Sequence, residues 1–491
     1  MPKTILFWPD VYKEQGHWLP TLKWAQDLYD EKDGTNPAYS ICYMGIKDCE
    51  SIIKSYKIGE PAKTGEIAPS FDYHSIFQNI YPLGYTTECH TSPNERWRPD
   101  HVWAIAYSAL GDDLEKYKDK LNTDLFNDAQ SFRNTMTTIN PDLLVSGYFT
   151  SLESLLIKKI YNVKDVVIST TYLRHPSEDP AMRALQNLTA FSPTEYFKLV
   201  NLCRYQELKT AAGNEPVDLL QDPELDKEDF VKDLEDLYEL IPCPREFDYA
   251  HYTHGTKVNY VEPCILNKDL EGPSNSSLEL SDGTKKTWSA FLQDTNKYQK
   301  LIFVTAGSQV LDYEGKARNL FLYMCEAMKS AELNEYHLVL GVGSKLYYDK
   351  KWDEYKKQPN ITFASWVPQR AILSAPNLEL ALIHGGLATI KECVYNNKKF
   401  LILPLGKDQI DNALRLRKYG INNTVLIENI SPKVLIDAIV KLNSDRKTLQ
   451  NLEKLSEVFQ QEELRCEGTN LLKGILNKQQ DSPNGSGPST P

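Results

Sequence analysis

Three short apolar runs in the last third of the chain each break off into a loop carrying glycine, proline or polar residues, then into a helical pattern. They cover residues 361–363, 380–383 and 400–403. Runs this short, rich in Ile, Leu and Phe and followed by a helix, mark strands buried on both faces of a parallel sheet. Two further runs, 301–304 and 337–340, with a helix between them over 317–330, complete the rhythm. The N-terminal half repeats it at 5–8, 143–145 and 166–169, with helices at 20–28 and 152–160. The spacing predicts an α/β fold of two Rossmann-like domains facing across a cleft.

At 491 residues the chain exceeds what one hydrophobic core ordinarily serves. Gly272, Pro273 and the serines and asparagine that follow are linker chemistry. The expected division is therefore a domain over 1–265, a linker over 266–298, a second domain over 299–478 and a disordered tail over 479–491. The acidic stretch 215–239 reads as a solvated helical excursion. Aromatic-rich stretches at 71–85 and 97–107 are candidates for the wall of an acceptor pocket.

A net charge of −12 argues against a nucleic-acid partner, which needs concentrated Lys and Arg, and against stable docking on a membrane surface. Nine scattered cysteines without a CxxC pair read as reduced thiols, with neither a disulfide framework nor a metal site. Residues 1–8 run straight into a strand without a signal-peptide pattern, so a cytoplasmic protein is expected.

The loops that follow the last strands carry the chemistry. His384, Gly385, Gly386 and Thr389 stand at a strand end and a helix start, where close backbone approach and the helix N-terminus suit a phosphate. Upstream, Trp366 offers a flat face to a base and Gln369 an amide to ring or ribose. Downstream, the adjacent carboxylate and amide of Asp408 and Gln409 suit sugar hydroxyls. Glu392, in the helix after the glycine pair, suits ribose hydroxyls. Base, ribose, diphosphate and sugar each find a partner.

In this arrangement Trp366-Val367-Pro368-Gln369, His384-Gly385-Gly386, Glu392 and Asp408-Gln409-x-x-Asn412-Ala413 resemble the donor signature of the UDP-glycosyltransferases, the inverting family-one enzymes of GT-B fold. The 44 residues from Trp366 to Gln409 match the length of that signature in plant members. Ser308 falls in a loop similar to the family's Gly-Ser loop, and Gln15-Gly16-His17-Trp18-Leu19-Pro20 resembles its N-terminal GHxxP loop. The resemblance implies that Trp366 stacks the uracil while Gln369 and Glu392 take base and ribose. Ser308, His384, Gly386 and Thr389 would hold the diphosphate, and Asp408 and Gln409 the hexose, glucose by family habit. His17 would be the general base toward a small, partly apolar acceptor, with UDP-sugar as co-substrate and no cofactor or metal.

Three positions depart from the family pattern. Leu387 and Ala388 stand where the signature has Trp and Asn, and Gly147 stands where the family places the Asp that orients the catalytic His. Either another acid substitutes, with Asp112, Asp113 and Glu153 as candidates, or the acceptor is easily ionised. Gly147 and Ala388 also leave open a nucleotide-sugar-binding protein that has lost catalysis. A lipid-linked N-acetylglucosaminyltransferase relative is a third reading, against which the acidic charge counts.

Overall fold

The computed structural model describes residues 2–10, 15–33, 36–46, 49–55, 72–77, 135–147, 154, 157–158, 163–171, 173, 236–248, 257–266, 277–280, 283–294, 300–308, 310–406 and 408–478. The 479–491 tail, Asp112, Asp113, Glu153, the 97–107 aromatic stretch and nearly all of the acidic stretch lie outside them. Of 215–239, only its last four residues are described, and its end is strand rather than helix.

The N-terminal sheet runs through β1 (Lys3–Trp8), β4 (Tyr39–Ile46), β5 (Asp72–Phe77), β6 (Leu143–Gly147), β7 (Asp165–Ser169), β8 (Tyr238–Pro242) and β9 (Val258–Val261). A small ribbon, β2 (Lys32–Asp33) and β3 (Asn36–Pro37), precedes β4. The sheet order is β5-β4-β1-β6-β7-β8-β9, with every neighbour parallel. All of β6 is buried, as both-face coverage demands. Helix α1 (Gln15–Tyr29) packs Trp18, Leu22, Ala25 and Leu28 onto this sheet, and α2 (Glu50–Ser55) follows β4. The α1 helix begins at Gln15 rather than at residue 20, because Pro20 is not its opening residue. Pro20 sits one turn in, where it has no N–H to give the Gly16 carbonyl. His17 therefore lies in the first turn of a helix, 8% exposed, and not in a surface loop.

The C-terminal domain opens earlier than expected. Strands β10 (Ser277–Glu279) and β11 (Lys285–Thr287) form a hairpin, and α3 (Trp288–Gln293) follows with Thr287 as its N-cap. Leu278, Trp288 and Phe291 bury themselves in this domain's core, so the second half of the presumed linker is folded. The remaining elements in chain order are β12 (Lys300–Thr305), α4 (Glu314–Ala327), β13 (Tyr336–Gly341), α5 (Ser344–Tyr347), β14 (Ile361–Ala364), α6 (Gln369–Ser374), β15 (Leu378–Ile383), α7 (Leu387–Tyr395), β16 (Phe400–Ile402), α8 (Gln409–Lys418), α9 (Pro432–Ser444), α10 (Arg446–Glu463) and α11 (Glu467–Lys478). The sheet order is β14-β13-β12-β15-β16, all parallel. No helix among the described residues is long and apolar enough to cross a membrane.

Helix α11 does not belong to the domain that precedes it. Leu472, Ile475 and Leu476 pack into the N-terminal core, so the chain crosses between domains twice. The crossings are laced by two carboxylates. Glu262 accepts from the Gly468 N–H at 2.7 Å and from Trp24 Nε1 at 2.8 Å. Glu463 accepts from the Ile265 N–H at 3.1 Å. Burial pushes the Glu463 carboxyl up to about 7 from 4.5, with the Glu262 charge adding and the Ile265 N–H, Lys23 and Lys391 opposing. The folded state thus holds this proton more tightly than the unfolded chain. The stability it contributes is fully present below about pH 4.5 and lost as pH rises through about 7, a difference of about 3 kcal/mol. Denaturant unfolding between pH 5 and 8 is expected to show that decline, and Glu463→Gln to flatten it. An unchanged slope in the variant would remove Glu463 from the account.

Candidate functional site

The C-terminal strand order reverses between β12 and β15, and an open parallel sheet has its crevice at such a point. The loop after β12 carries Gly307, at φ +79°, and the exposed Ser308. The loop after β15 carries His384, Gly385, at φ +94°, and Gly386. The His384 ring fills the space between the loops. A Cβ on Gly307 would lie 2.5 Å from its Cε1, and one on Gly386 would lie 2.5 Å from its Nε2. Glycine at both places is the condition for the imidazole to sit there.

Gly386 is the N-cap of α7 and has no side chain to cap with, so the first N–H groups of that helix face the crevice with their partial positive charge. Helix α7 starts at Leu387, two residues before the expected place, which puts Thr389 in its first turn. The Thr389 hydroxyl accepts from Gln369 Nε2 at 3.3 Å and keeps its own proton for another acceptor. The same Nε2 donates to Glu392 Oε2 at 2.6 Å, and the Arg370 guanidinium stands 3.9 Å from the other carboxylate oxygen. Both Arg370 and Glu392 are buried. Sequence reading missed Arg370, since an Arg in an otherwise apolar helix start gives no periodic signal.

Trp366, in the loop between β14 and α6, is 42% exposed, which is unusual for an indole and leaves its face accessible. At the other side of the crevice Asp408 is the N-cap of α8 and accepts from Asn412 Nδ2 at 2.9 Å. That same amide reaches the Gly385 carbonyl at 3.1 Å, tying the two glycine-bearing and acidic loops together. Gln409 Oε1 accepts from the N–H groups of Leu405 and Gly406 at 2.7 and 3.1 Å. Its oxygen thus holds its own loop, and Nε2 is the atom it has left to offer a ligand. Gln369, Thr389 and Glu392 are thus bonded together at α7, and Asp408, Gln409 and Asn412 bind the loop after β16 to itself and to Gly385.

The N-terminal sheet reverses between β1 and β6, at the ends of which stand Asp10 and Gly147. His17 Nδ1 lies 2.6 Å from Asp10 Oδ2, with the two side chains 9% and 1% exposed. Sequence reading sought an acid for His17 elsewhere and missed Asp10. The signal was there: a carboxylate two residues past the first strand, at a sheet's reversal point. Leu387 is buried in the C-terminal core, while a Cβ on Gly16 would touch the Ala388 Cβ at 3.6 Å. The first turn of α1 and the first turn of α7 therefore face each other across the cleft. Lys391, farther along α7, donates to the carbonyls of Pro242 and Pro263 at 2.6 and 2.7 Å, which pins α7 to the N-terminal domain.

Comparison with known proteins bears on the same regions. Residues 301–465 match the glycosyltransferase family 28 C-terminal domain. A UDP-glycosyltransferase of Dactylopius coccus is 34% identical over 100 residues, which are 20% of this chain and 19% of that relative. The matched stretch is thus about a fifth of the relative's length. Among solved structures, the glycotransferase of kitacinnamycin superposes with a TM-score of 0.61 at 16% identity, covering 97% of this chain and 100% of the other. A UDP-glucose: anthocyanidin 3-O-glucosyltransferase in complex with UDP gives 0.60 at 13%, covering 97% and 99%. The architecture they share with this chain is the two-domain GT-B fold.

Proposed function

We propose that the chain, whose C-terminal domain resembles those of glycosyltransferases, transfers a hexose from a UDP-sugar to a hydroxyl of a small, partly apolar acceptor. Glucose is the sugar proposed first. The observation that carries this reading is the meeting of α1 and α7, which sets His17 beside the helix N-terminus that suits a diphosphate.

With Nδ1 engaged by Asp10, His17 Nε2 takes the acceptor's hydroxyl proton as that oxygen attacks the anomeric carbon. The bond from that carbon to the diphosphate oxygen breaks, and UDP leaves with the electron pair. Its charge is met by the α7 N-terminus, His384, Thr389 and Ser308. Attack from the face opposite the departing UDP inverts the anomeric centre. Gln369 and Glu392 take base and ribose, and Asp408 with Gln409 Nε2 takes the sugar hydroxyls. Nothing in these steps calls for a cofactor.

A screen of UDP- and dTDP-sugars by thermal shift tests the donor, since a ligand that binds only the native state raises its stability. NMR of the product then tests inversion. Absence of any nucleotide-sugar shift would defeat the reading. Trp366→Ala is expected to weaken UDP binding by about 10-fold, in line with the ~1–3 kcal/mol of a base stacked on an aromatic ring. Titration calorimetry measures it, and unchanged affinity would remove Trp366 from the base site. The alternative of a binder without catalysis drew on Gly147 and Ala388, and the Asp10–His17 pair weighs against the first of these.

A further inference from the structure

The position where the family resemblance puts the orienting acid cannot carry any side chain in this protein. A Cβ on Gly147 would lie 1.7 Å from the Pro9 carbonyl oxygen and 2.6 Å from the Pro9 carbonyl carbon. Both atoms are backbone, with no rotamer to give way. The β1–β6 register explains the clash: Trp8 pairs with Ser146, so Pro9 and Gly147 come off neighbouring strands side by side. The volume that a carboxylate would fill at 147 is taken by the backbone that leads to Asp10.

That backbone brings its own carboxylate. Asp10 is fully buried, and its Oδ2 stands 2.6 Å from His17 Nδ1. A buried carboxylate requires a donor, and a protonated Nδ1 supplies one. The clash at Gly147 and the contact at His17 are separate observations, and they agree. The acid has moved one strand along, from the end of β6 to the end of β1, and reaches the same ring.

We infer that Asp10 is the positioning residue of the transfer reaction, holding His17 in the tautomer whose Nε2 lone pair is available to the acceptor. The inference rests on the reading of His17 as general base. During transfer the acceptor proton moves to Nε2 and Nδ1 keeps its own. The resulting imidazolium is stabilised by the Asp10 carboxylate, which stays ionised throughout. The acid and base are seven positions apart in sequence, so both members of the dyad come from one strand–helix junction.

The test compares wild type, Asp10→Asn and His17→Gln with two acceptors, an aliphatic alcohol and a nitrophenol that is already ionised at neutral pH. Asp10→Asn is expected to lower kcat toward the alcohol by on the order of 10²-fold or more, and toward the phenolate by less than about threefold. KM for the UDP-sugar stays within about twofold. Nitrogen-15 NMR of His17, assigned by its loss in His17→Gln, reads the tautomer without turnover. Wild type should carry the proton on Nδ1, and Asp10→Ala should shift it toward Nε2. Equal losses with both acceptors, or an unchanged tautomer in Asp10→Ala, would overturn the positioning role. If Asp10→Asn transfers normally while His17→Gln does not, the base reading survives and this inference fails. If His17→Gln also transfers normally, both fail.

Discussion

Replacing His17 with Ala is expected to lower turnover by about 10³-fold, the range of a positioned general base, while UDP affinity stays within about twofold. The separation follows from where the residue sits. His17 belongs to the first turn of α1 in the N-terminal domain, whereas the groups suited to base, ribose and diphosphate all belong to the C-terminal domain. Losing the imidazole removes the proposed proton acceptor and leaves the proposed nucleotide site untouched. It also leaves the Asp10 carboxylate buried without the ring, so some loss of stability should accompany it. A thermal-shift response to UDP distinguishes a folded, inactive variant from an unfolded one. Near-normal turnover in a folded His17→Ala protein would overturn the mechanism.

The second large effect is on stability. Asp248 and Arg415 are both buried, 0% and 1% exposed as side chains, with Arg415 Nε 2.9 Å from Asp248 Oδ1. The Tyr260 hydroxyl donates to Oδ2 at 2.6 Å, and Lys418 Nζ donates to the Asp248 carbonyl at 2.5 Å. These contacts join the N-terminal domain to α8, the helix whose first residues suit the sugar. Asp248→Ala removes the carboxylate from a buried guanidinium, which costs about 3–5 kcal/mol. Denaturant unfolding measures the loss. Replacing both partners with apolar residues, Asp248→Leu with Arg415→Met, should recover most of it, because neither charge then remains to be solvated. A single variant as stable as wild type would mean that water reaches Arg415.

Much of the C-terminal domain was legible because its strands are short, apolar and buried on both faces. The runs at 301–304, 337–340, 361–363, 380–383 and 400–403 reappear as β12 to β16 within a residue or two at each end. The loops that follow these strands were legible for a related reason: glycine, proline and polar residues break each apolar run before the next helix. What sequence could not show was long-range pairing. Asp10 reads as a turn residue until β1 and β6 are set side by side and Gly147 proves to be crowded by Pro9. Gln409 reads as offering both amide atoms to a ligand until its oxygen is found capping two N–H groups of its own loop. Helix α11 has an ordinary amphipathic pattern, and nothing in such a pattern says which of two cores will receive it.

That returning helix has a mechanical consequence. Two covalent strands join the domains, near residues 262–266 and 463–468, and each is bonded to the other by a glutamate. A single tether would let one domain swivel freely about the other. Two tethers laced side by side act like the paired knuckles of a door, allowing rotation about one axis and resisting twist. With Lys391 also holding α7 to Pro242 and Pro263, the paired tethers keep α1 and α7 opposite each other, Gly16 beside Ala388.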